Sequence, residues 1–525
     1  MARFSSLLAL VVALAVAAAP FDASAQATGL AIKCINNTTN PLSTALSYFP
    51  PNMRITTDDA TAGAVDVTVA AGFTVHYDNT FKLVKTICGK YQADACLTNT
   101  STYCCRDKTY VLTLCGAAKP TTFANGTALP ASATHFTIPL TAVATAYSGP
   151  VPFMELLGLL DKVAVVDPRS IHSPCLQKLE EDMVIAGATT GSTAPTADWT
   201  KLIAEHPTVT GVWTDSFGTG VSSTDKDIVF DGSSDAGGVL GRAEWIKYLS
   251  LFFNEEDKAN LYFANEQKVY KATEQALVAV KGTTTKSCAW VTISAASQWG
   301  PASYSISFAT YKVELCKSAG LEAYVNTTLQ AAGTSKQAFN TIAEFHAVLH
   351  TIDVVIDETY FSSPSTTVKA DVLRTLNITG LKKTGAMLLR TDRHISDRHS
   401  KIRPNTTASG PTVYENADWL ESAIARPALV LQDFAAKVWG VAKSPAPAAG
   451  CSQYFRDVLA GEMPIVNGKE TCAKFEAAEK EGKCITNAVN TRFISSGVTA
   501  TSGVGVSYTV VVSSILALVA ATLVM

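Results

Sequence analysis

The stretch Leu240-Gly241-Arg242-Ala243-Glu244-Trp245-Ile246-Lys247 opens the longest helical pattern in this chain of 525 residues. Trp245, Leu249 and Phe252 recur at helical spacing with Ile246 and Phe253 beside them. Ala259, Phe263, Tyr270, Leu277 and Val280 carry the apolar face past Asn254. This periodicity predicts one long helix over 238–281, started by Ser234 or Asp235 as cap. On its N-terminal side, His135-Phe136-Thr137-Ile138 reads as a strand ended by Pro139, 151–160 as a short helix and 163–167 as a buried strand. On its C-terminal side the pattern repeats, with strand 289–293, helices 311–318 and 339–350, and strand 354–357. Strands that alternate with helices imply parallel sheets, and two such series around one helix imply two lobes.

Further out, residues 29–129 are rich in Thr, Asn and Ala. They include the alternating strands 73–77, 81–84 and 110–114, the last two forming a hairpin whose connection carries Cys88, Cys96, Cys104 and Cys105. After the second lobe come a segment from Met387 through Arg393, a helix-like stretch around 418–438, a Pro/Ala linker at 443–450, and Cys451, Cys472 and Cys484 in a charged segment. The two ends carry targeting patterns. Arg3, the apolar run 7–19 and Ala23-Ser24-Ala25 have the order of a secretory signal peptide. At the other end 504–525 is mostly apolar with no Lys or Arg behind it, and Ser495-Ser496-Gly497 precedes it, the pattern of a glycosylphosphatidylinositol signal with Ser496 as attachment residue.

Composition fits an extracellular setting. Seven sequons stand at Asn36, Asn37, Asn99, Asn125, Asn326, Asn377 and Asn405, each a glycosylation acceptor if it lies on a surface loop. The 12 cysteines are an even set without paired C-x-x-C motifs, so disulfides are expected rather than redox or zinc chemistry. Cys288 opens one expected strand and Cys316 lies on the next helix, so they can pair. Parity within segments then leaves Cys175 for Cys451, Cys472 or Cys484. A net charge of −3 argues against a nucleic-acid partner.

Four pieces occur in an order that resembles a known family: Phe153-Met154-Glu155-Leu156-Leu157-Gly158-Leu159; Val166-Asp167 with Ser173-Pro174; the Leu240–Lys247 stretch; and Ala425-Arg426-Pro427-Ala428-Leu429-Val430-Leu431. The family is the class III periplasmic binding proteins for ferric siderophores and cobalamin, those with a helical spine. The chain also looks like the iron-starvation, ferrichrome-binding surface proteins of diatoms and related algae. The likeness covers 73–438. It implies an α/β fold of two Rossmann-like lobes joined by a long spine helix, a ligand cleft between them, and no catalysis. The extra Cys-rich N-terminal hairpin region and C-terminal segment, with the lipid anchor, depart from the bacterial pattern and suggest a eukaryotic surface receptor.

The expected organisation is a signal peptide (1–25), an N-terminal α/β lobe with a Cys-rich insertion (26–237), the spine (238–281), a C-terminal α/β lobe (282–385), a return segment to the first lobe (386–442), a linker and Cys-rich tail (443–496) and a removed anchor signal (497–525). The expected function is capture of a ferric siderophore or similar organic metal complex at the cell surface, with no intrinsic cofactor. The membrane would be reached through the lipid anchor, and an uptake transporter or endocytic partner would follow. A metal-ion receptor for Zn, Mn or Fe and a non-catalytic structural or adhesive surface protein are the alternatives.

Ligands of open α/β sheets sit beyond the C-terminal ends of the strands, so the loops there supply candidates. Arg169 and His172 follow the strand at 163–167, and Arg169 can bind an anionic oxygen bidentately. Trp213 ends another strand and can stack, although core packing serves a strand-end Trp equally well. In the second lobe Trp299 and Tyr304 follow strand 289–293 in a Gly/Ser/Pro loop. Glu358 and Tyr360 follow strand 354–357, and Arg390 and Arg393 follow the 387–389 run. Surface salt bridging is the plain alternative for the two arginines. His346 and His350 share a helical face at zinc-like spacing but lack the glutamate of H-E-x-x-H, so they assign no metal site. No Gly-x-Ser-x-Gly elbow marks a hydrolase.

Overall fold

The computed structural model describes Cys34 and, with gaps, residues 48–467. Outside the description lie 1–33, 35–47, 51–53, 57–64, 88–106, 167–170, 182–185, 188–202, 216–224, 235–236, 295–301, 360–367, 397–416, 441–451 and 468–525. The stretches expected to be a signal peptide and an anchor signal fall there. Among the described residues no helix is long and apolar enough to cross a membrane.

Besides a small parallel pairing of Ile55–Thr56 with Val65–Asp66, the described residues of the first lobe form two sheets. One joins β1 (Phe73–Tyr77), β2 (Phe81–Thr86), β3 (Thr109–Leu114) and β4 (Thr134–Ile138) in that order. Its first three strands are antiparallel and β4 runs parallel to β3. The other consists of β5 (Val143–Thr145), β6 (Val163–Val166), β7 (Ala186–Gly187), β8 (Gly211–Thr214) and β9 (Asp227–Val229), ordered β9-β8-β5-β6-β7. Every pairing in it is parallel. Its helices include α1 (Val151–Leu157), which Gly158 ends in a left-handed turn, and α2 (Pro174–Glu181). Cys34 and Cys115 form a disulfide near the first sheet.

The spine is present as two consecutive helices, α3 (Gly238–Ser250) and α4 (Glu256–Lys281). The break has a specific cause. Lys82 of β2 is fully buried and donates to the Leu251 carbonyl at 2.8 Å and to Asn254 Oδ1 at 2.8 Å, while its ammonium pairs with Glu256. Beside it the Glu255 N–H bonds the Ser250 carbonyl at 3.2 Å rather than that of Leu251, and Asn254 turns the chain at φ 57°, a conformation Asn tolerates better than most residues. No side chain caps α3: its N-cap is Gly237, and Asp235 lies outside the described residues. Instead Glu314 from the second lobe accepts from Val239 N at 2.9 Å. Gly238 makes that approach possible, since at φ +70° a Cβ there would meet Glu314 Oε2 at 1.8 Å.

The second lobe is built on β10 (Ser287–Ser294), β11 (Ser303–Ser307), β12 (Glu322–Ala323), β13 (Lys336–Phe339), β14 (Val354–Asp357), β15 (Met387–Arg390), β16 (His394–Ser396), β17 (Arg456–Asp457) and β18 (Ile465–Asn467). The main sheet runs β13-β11-β10-β14-β15-β17 with β12 beside β10, and β16 pairs with β18 separately. β10, β14 and β15 are parallel, whereas β11, β13 and β17 join antiparallel. Around it pack α5 (Thr310–Ser318), α6 (Ile342–Leu349) and α7 (Lys369–Thr375), and α8 (Pro427–Trp439) lies along α4. Cys288 and Cys316 form a disulfide with Cα atoms 6.1 Å apart.

Three expectations change. The helix expected from Phe339 begins at Ile342, with a Thr341/Glu344 capping box, because Phe339 ends β13. A boundary at 385 would cut off β15, which pairs with β14 along its whole length. Residues 452–467 are not a free tail. They add β17 and β18 and bury Tyr454, Phe455 and Arg456.

Candidate functional site

The glutamate of the opening motif has a structural role. Glu244 accepts the backbone N–H groups of Thr68, Val69 and Ala70 at 2.9, 2.7 and 2.8 Å and pairs with Lys247, pinning the N-terminal chain to α3. The same helix reaches the second lobe through Arg242, whose guanidinium lies 4.0 Å from the Tyr311 ring centroid.

In the first lobe's parallel sheet, strand order reverses between β5 and β8, so the crevice at the strand ends is flanked by residues after Thr145 and Thr214. Tyr147 stands there, donating to the Phe230 carbonyl. Burial, then the charges of Asp231 and Asp215, push its hydroxyl pKa well up. In the second lobe the equivalent position follows β14, where Glu358 pairs with Lys312 and accepts from Trp419 Nε1 at 3.2 Å. Lys312 lies 5.3 Å from the Trp290 ring, which stacks on Trp419 at 5.5 Å.

Trp419 belongs to the first of two consecutive short 3-10 turns, Asp418–Leu420 and Ser422–Ala425. These turns reach both lobes. While Trp419 holds Glu358 of the second lobe, its neighbours hold the loop after β6 of the first. Asp418 pairs with His172 Nδ1 at 3.2 Å, and Glu421 accepts from His172 N and Ser173 N at 2.7 and 2.8 Å. The strand-end loops of the two sheets therefore meet one shared floor, 418–422, on which Leu420 is 67% exposed. Burial alone would raise the Asp418 carboxyl, but the His172 imidazole and donors from Ser422 and Gln453 hold it at about 2. Burial, reinforced by the charge of Glu155, drives Glu421 well above the usual range.

The expected site residues separate accordingly. Glu358 is at the floor. His172 is there too, but it is 1% exposed and serves the contact with Asp418 rather than an open wall. Trp213 is wholly buried, its ring against Phe230, Phe252 and Phe253, so core packing claims it. Tyr304 lies on β11, not in a loop, and packs on Phe345 in the second lobe's own core. Arg390 is buried between Asp357 and Asp392, and Arg456 binds Asp392 from the other side. Arg393 donates to the Met463 carbonyl, holding the chain before β18. Both arginines thus secure the sheet and its added strands, for which the surface-pair alternative is also wrong in the case of Arg390. Arg169, Trp299 and Tyr360 lie outside the described residues.

Sequence reasoning missed Arg242, Tyr311, Lys312, Trp290 and Trp419. The available signal for Trp419 was an aromatic flanked by Asp418 and Glu421 just ahead of Pro427.

Among the described residues no group of three or more His, Cys, Asp or Glu could hold a metal ion. His346 and His350 do share a helix with rings 5.6 Å apart, but His346 Nε2 is engaged by the Leu376 carbonyl at 2.8 Å. Asn125 and Asn377 are exposed, while Asn326 caps a helical turn and donates from Nδ2 to Gln337 at 3.0 Å. Asn36, Asn37, Asn99, Asn405 and Ser496 lie outside the described residues. Cys175 is disulfide-bonded, and since the other four described cysteines pair among themselves, its partner lies outside them.

No family model matches the chain, and no curated protein matches it. Solved structures similar to it include a periplasmic binding protein from Veillonella parvula, at 12% identity and TM-score 0.38, covering 57% of this chain and 92% of that one. The periplasmic heme binding protein HutB of Vibrio cholerae is similar at 12% identity and TM-score 0.36, covering 57% and 99%. An ABC-type Fe3+-hydroxamate transport system from Saccharomonospora viridis is similar at 17% identity and TM-score 0.33, covering 47% and 83%. Two of these are periplasmic binding proteins, one of them for heme, and the third is named for Fe3+-hydroxamate transport.

Proposed function

We propose that this chain is a solute-binding receptor of the cell surface that captures a ferric siderophore, or a similar organic metal complex, between its two lobes for uptake. One observation supports this above the rest. The strand-end loops of two separate parallel arrays converge on a common floor, on which Leu420 is exposed, with the partly exposed Arg242–Tyr311 pair joining the two lobes beside it. Open α/β sheets bind ligands at such strand-end crevices. The Arg242 guanidinium over the Tyr311 ring, both partly exposed, suits a bulky complex whose surface mixes apolar atoms with carbonyl or anionic oxygens. The proposed wall residues Arg169, Trp299 and Tyr360 follow the same strand ends. The receptor binds its ligand without chemical conversion.

The signal peptide, sequons and apolar end support export and a glycosylphosphatidylinositol anchor in the outer leaflet, with a transporter or endocytic partner completing uptake. Titration of the mature protein with ferric ferrichrome, ferric ferrioxamine B and free zinc or manganese, read by tryptophan fluorescence, tests the proposal. Saturable quenching by a ferric complex but not by the bare ions supports it. A response to bare ions alone, or none at all, overturns it.

A further inference from the structure

The segment after the Pro/Ala linker is docked against the cleft floor. Gln453 Nε2 donates to Asp418 Oδ2 at 2.8 Å, so Asp418 is shared between this segment and His172 of the first lobe. Tyr454 OH and Ser422 Oγ lie 2.9 Å apart, and the Tyr454 and Phe455 rings stand 6.0 and 5.5 Å from Trp419. Asp433 of α8 accepts from Tyr454 N and Phe455 N at 2.6 and 2.9 Å. The Ser452 carbonyl meets His394 Nε2 at 3.2 Å. Further along, Arg456 binds Asp392 through Nε at 2.5 Å and NH2 at 3.0 Å, and Asp392 is itself held by Arg390 at 2.9 Å.

Two sites therefore lean on one short element. The segment 418–422 meets the strand-end loops of both lobes, and the same residues also meet 452–455. A helix could bear such a load rigidly, but these are 3-10 turns, each three or four residues long, with poorer hydrogen-bond geometry and no side-chain caps. An element of that kind, shared between two contacts, transmits a change at one to the other, and the coupling acts equally in both directions.

We infer that 452–467 is a coupling strap: occupancy of the cleft and docking of this segment stabilise each other. This rests on the receptor reading for the ligand arm alone. The floor-to-strap coupling itself exists without ligand.

Hydrogen exchange on the full mature chain tests both arms. Without ligand, Gln453→Ala should speed exchange of the His172 and Ser173 amides about fivefold or more, although Gln453 touches neither. Tyr454→Phe, which keeps the ring and removes only the contact to Ser422, should act in the same direction and stands in if Gln453→Ala fails to fold. Unchanged exchange at His172 and Ser173 in a folded variant overturns the coupling. With ferric ferrichrome as probe, binding accompanied by slower exchange at Tyr454 and Phe455 supports the strap, whereas binding without that change overturns it. If no probe binds, the receptor reading fails and the ligand-free arm still decides the coupling.

Discussion

Replacing Glu266 by Gln should make the protein more stable at pH 8 than the natural chain, and nearly indifferent at pH 4. Glu266 lies on α4 with its carboxylate toward the N-terminus of α8, where it accepts from Ala428 N at 3.2 Å. Burial pushes its pKa from the ordinary 4.5 up to about 7, against the opposing pull of the Ala428 N–H, Arg426 and Tyr262. The folded state thus holds this proton more tightly than the unfolded chain. Its contribution to stability is complete below pH 4.5 and is lost as the pH rises through about 7. A pKa of about 7 against 4.5, at about 1.4 kcal/mol per pH unit, puts the loss at roughly 3 kcal/mol by pH 8. Gln keeps an acceptor for Ala428 and carries no charge to desolvate, so the variant should escape most of that loss. Parallel urea titrations of both proteins at pH 4 and pH 8 measure it, since other titrating groups cancel in the difference. A stability difference that is the same at the two pH values would refute the assignment of this proton.

Three further outcomes follow from packing and covalent geometry. Arg456→Met should cost about 3–5 kcal/mol, because it leaves the buried Asp392 with Arg390 as its remaining guanidinium partner; denaturation midpoints at constant m-value check it. Trp213→Ala should cost about 3–5 kcal/mol through the cavity left among Phe230, Phe252 and Phe253, with ligand affinity unchanged in folded protein, whereas Trp299→Ala and Tyr360→Ala should weaken binding by about 1–3 kcal/mol with stability nearly unchanged. Non-reducing peptide mapping should join Cys175 to Cys451, Cys472 or Cys484, and a peptide joining it to the N-terminal cysteines would contradict this pairing.

The parallel strands were legible because burial on both faces leaves runs such as Val163-Ala164-Val165-Val166 and Val354-Val355-Ile356, which few other structures explain. The spine was legible for its 3.6-residue periodicity, yet its break was not. Lys82, some 170 positions earlier in the chain, causes it, and no local pattern in 251–255 announces a distant ammonium. The antiparallel strand Ser303–Ser307 is half polar and lies beside Gly300 and Pro301, so it reads as loop until pairing with β10 gives it an edge. Arg390 reads as a cleft residue or a surface charge, because its burial depends on Asp357 and on Arg456 across Asp392, partners that lie far along the chain. Most of the floor escaped for the same reason: Trp419 gains its meaning from Glu358 and Trp290, and short 3-10 turns carry no periodicity to flag them. Glu358 was reachable because the strand-end rule points at the residue after a parallel strand wherever that strand can be read.

A crystal of the mature protein grown with ferric ferrichrome, with data collected at the iron absorption edge, tests the central claim most directly. The account predicts one strong anomalous iron peak between the lobes, above the 418–422 floor and within reach of Leu420, Tyr311 and Arg242. An iron peak elsewhere on the surface, or a cleft without one in crystals whose protein binds the complex in solution, would contradict it.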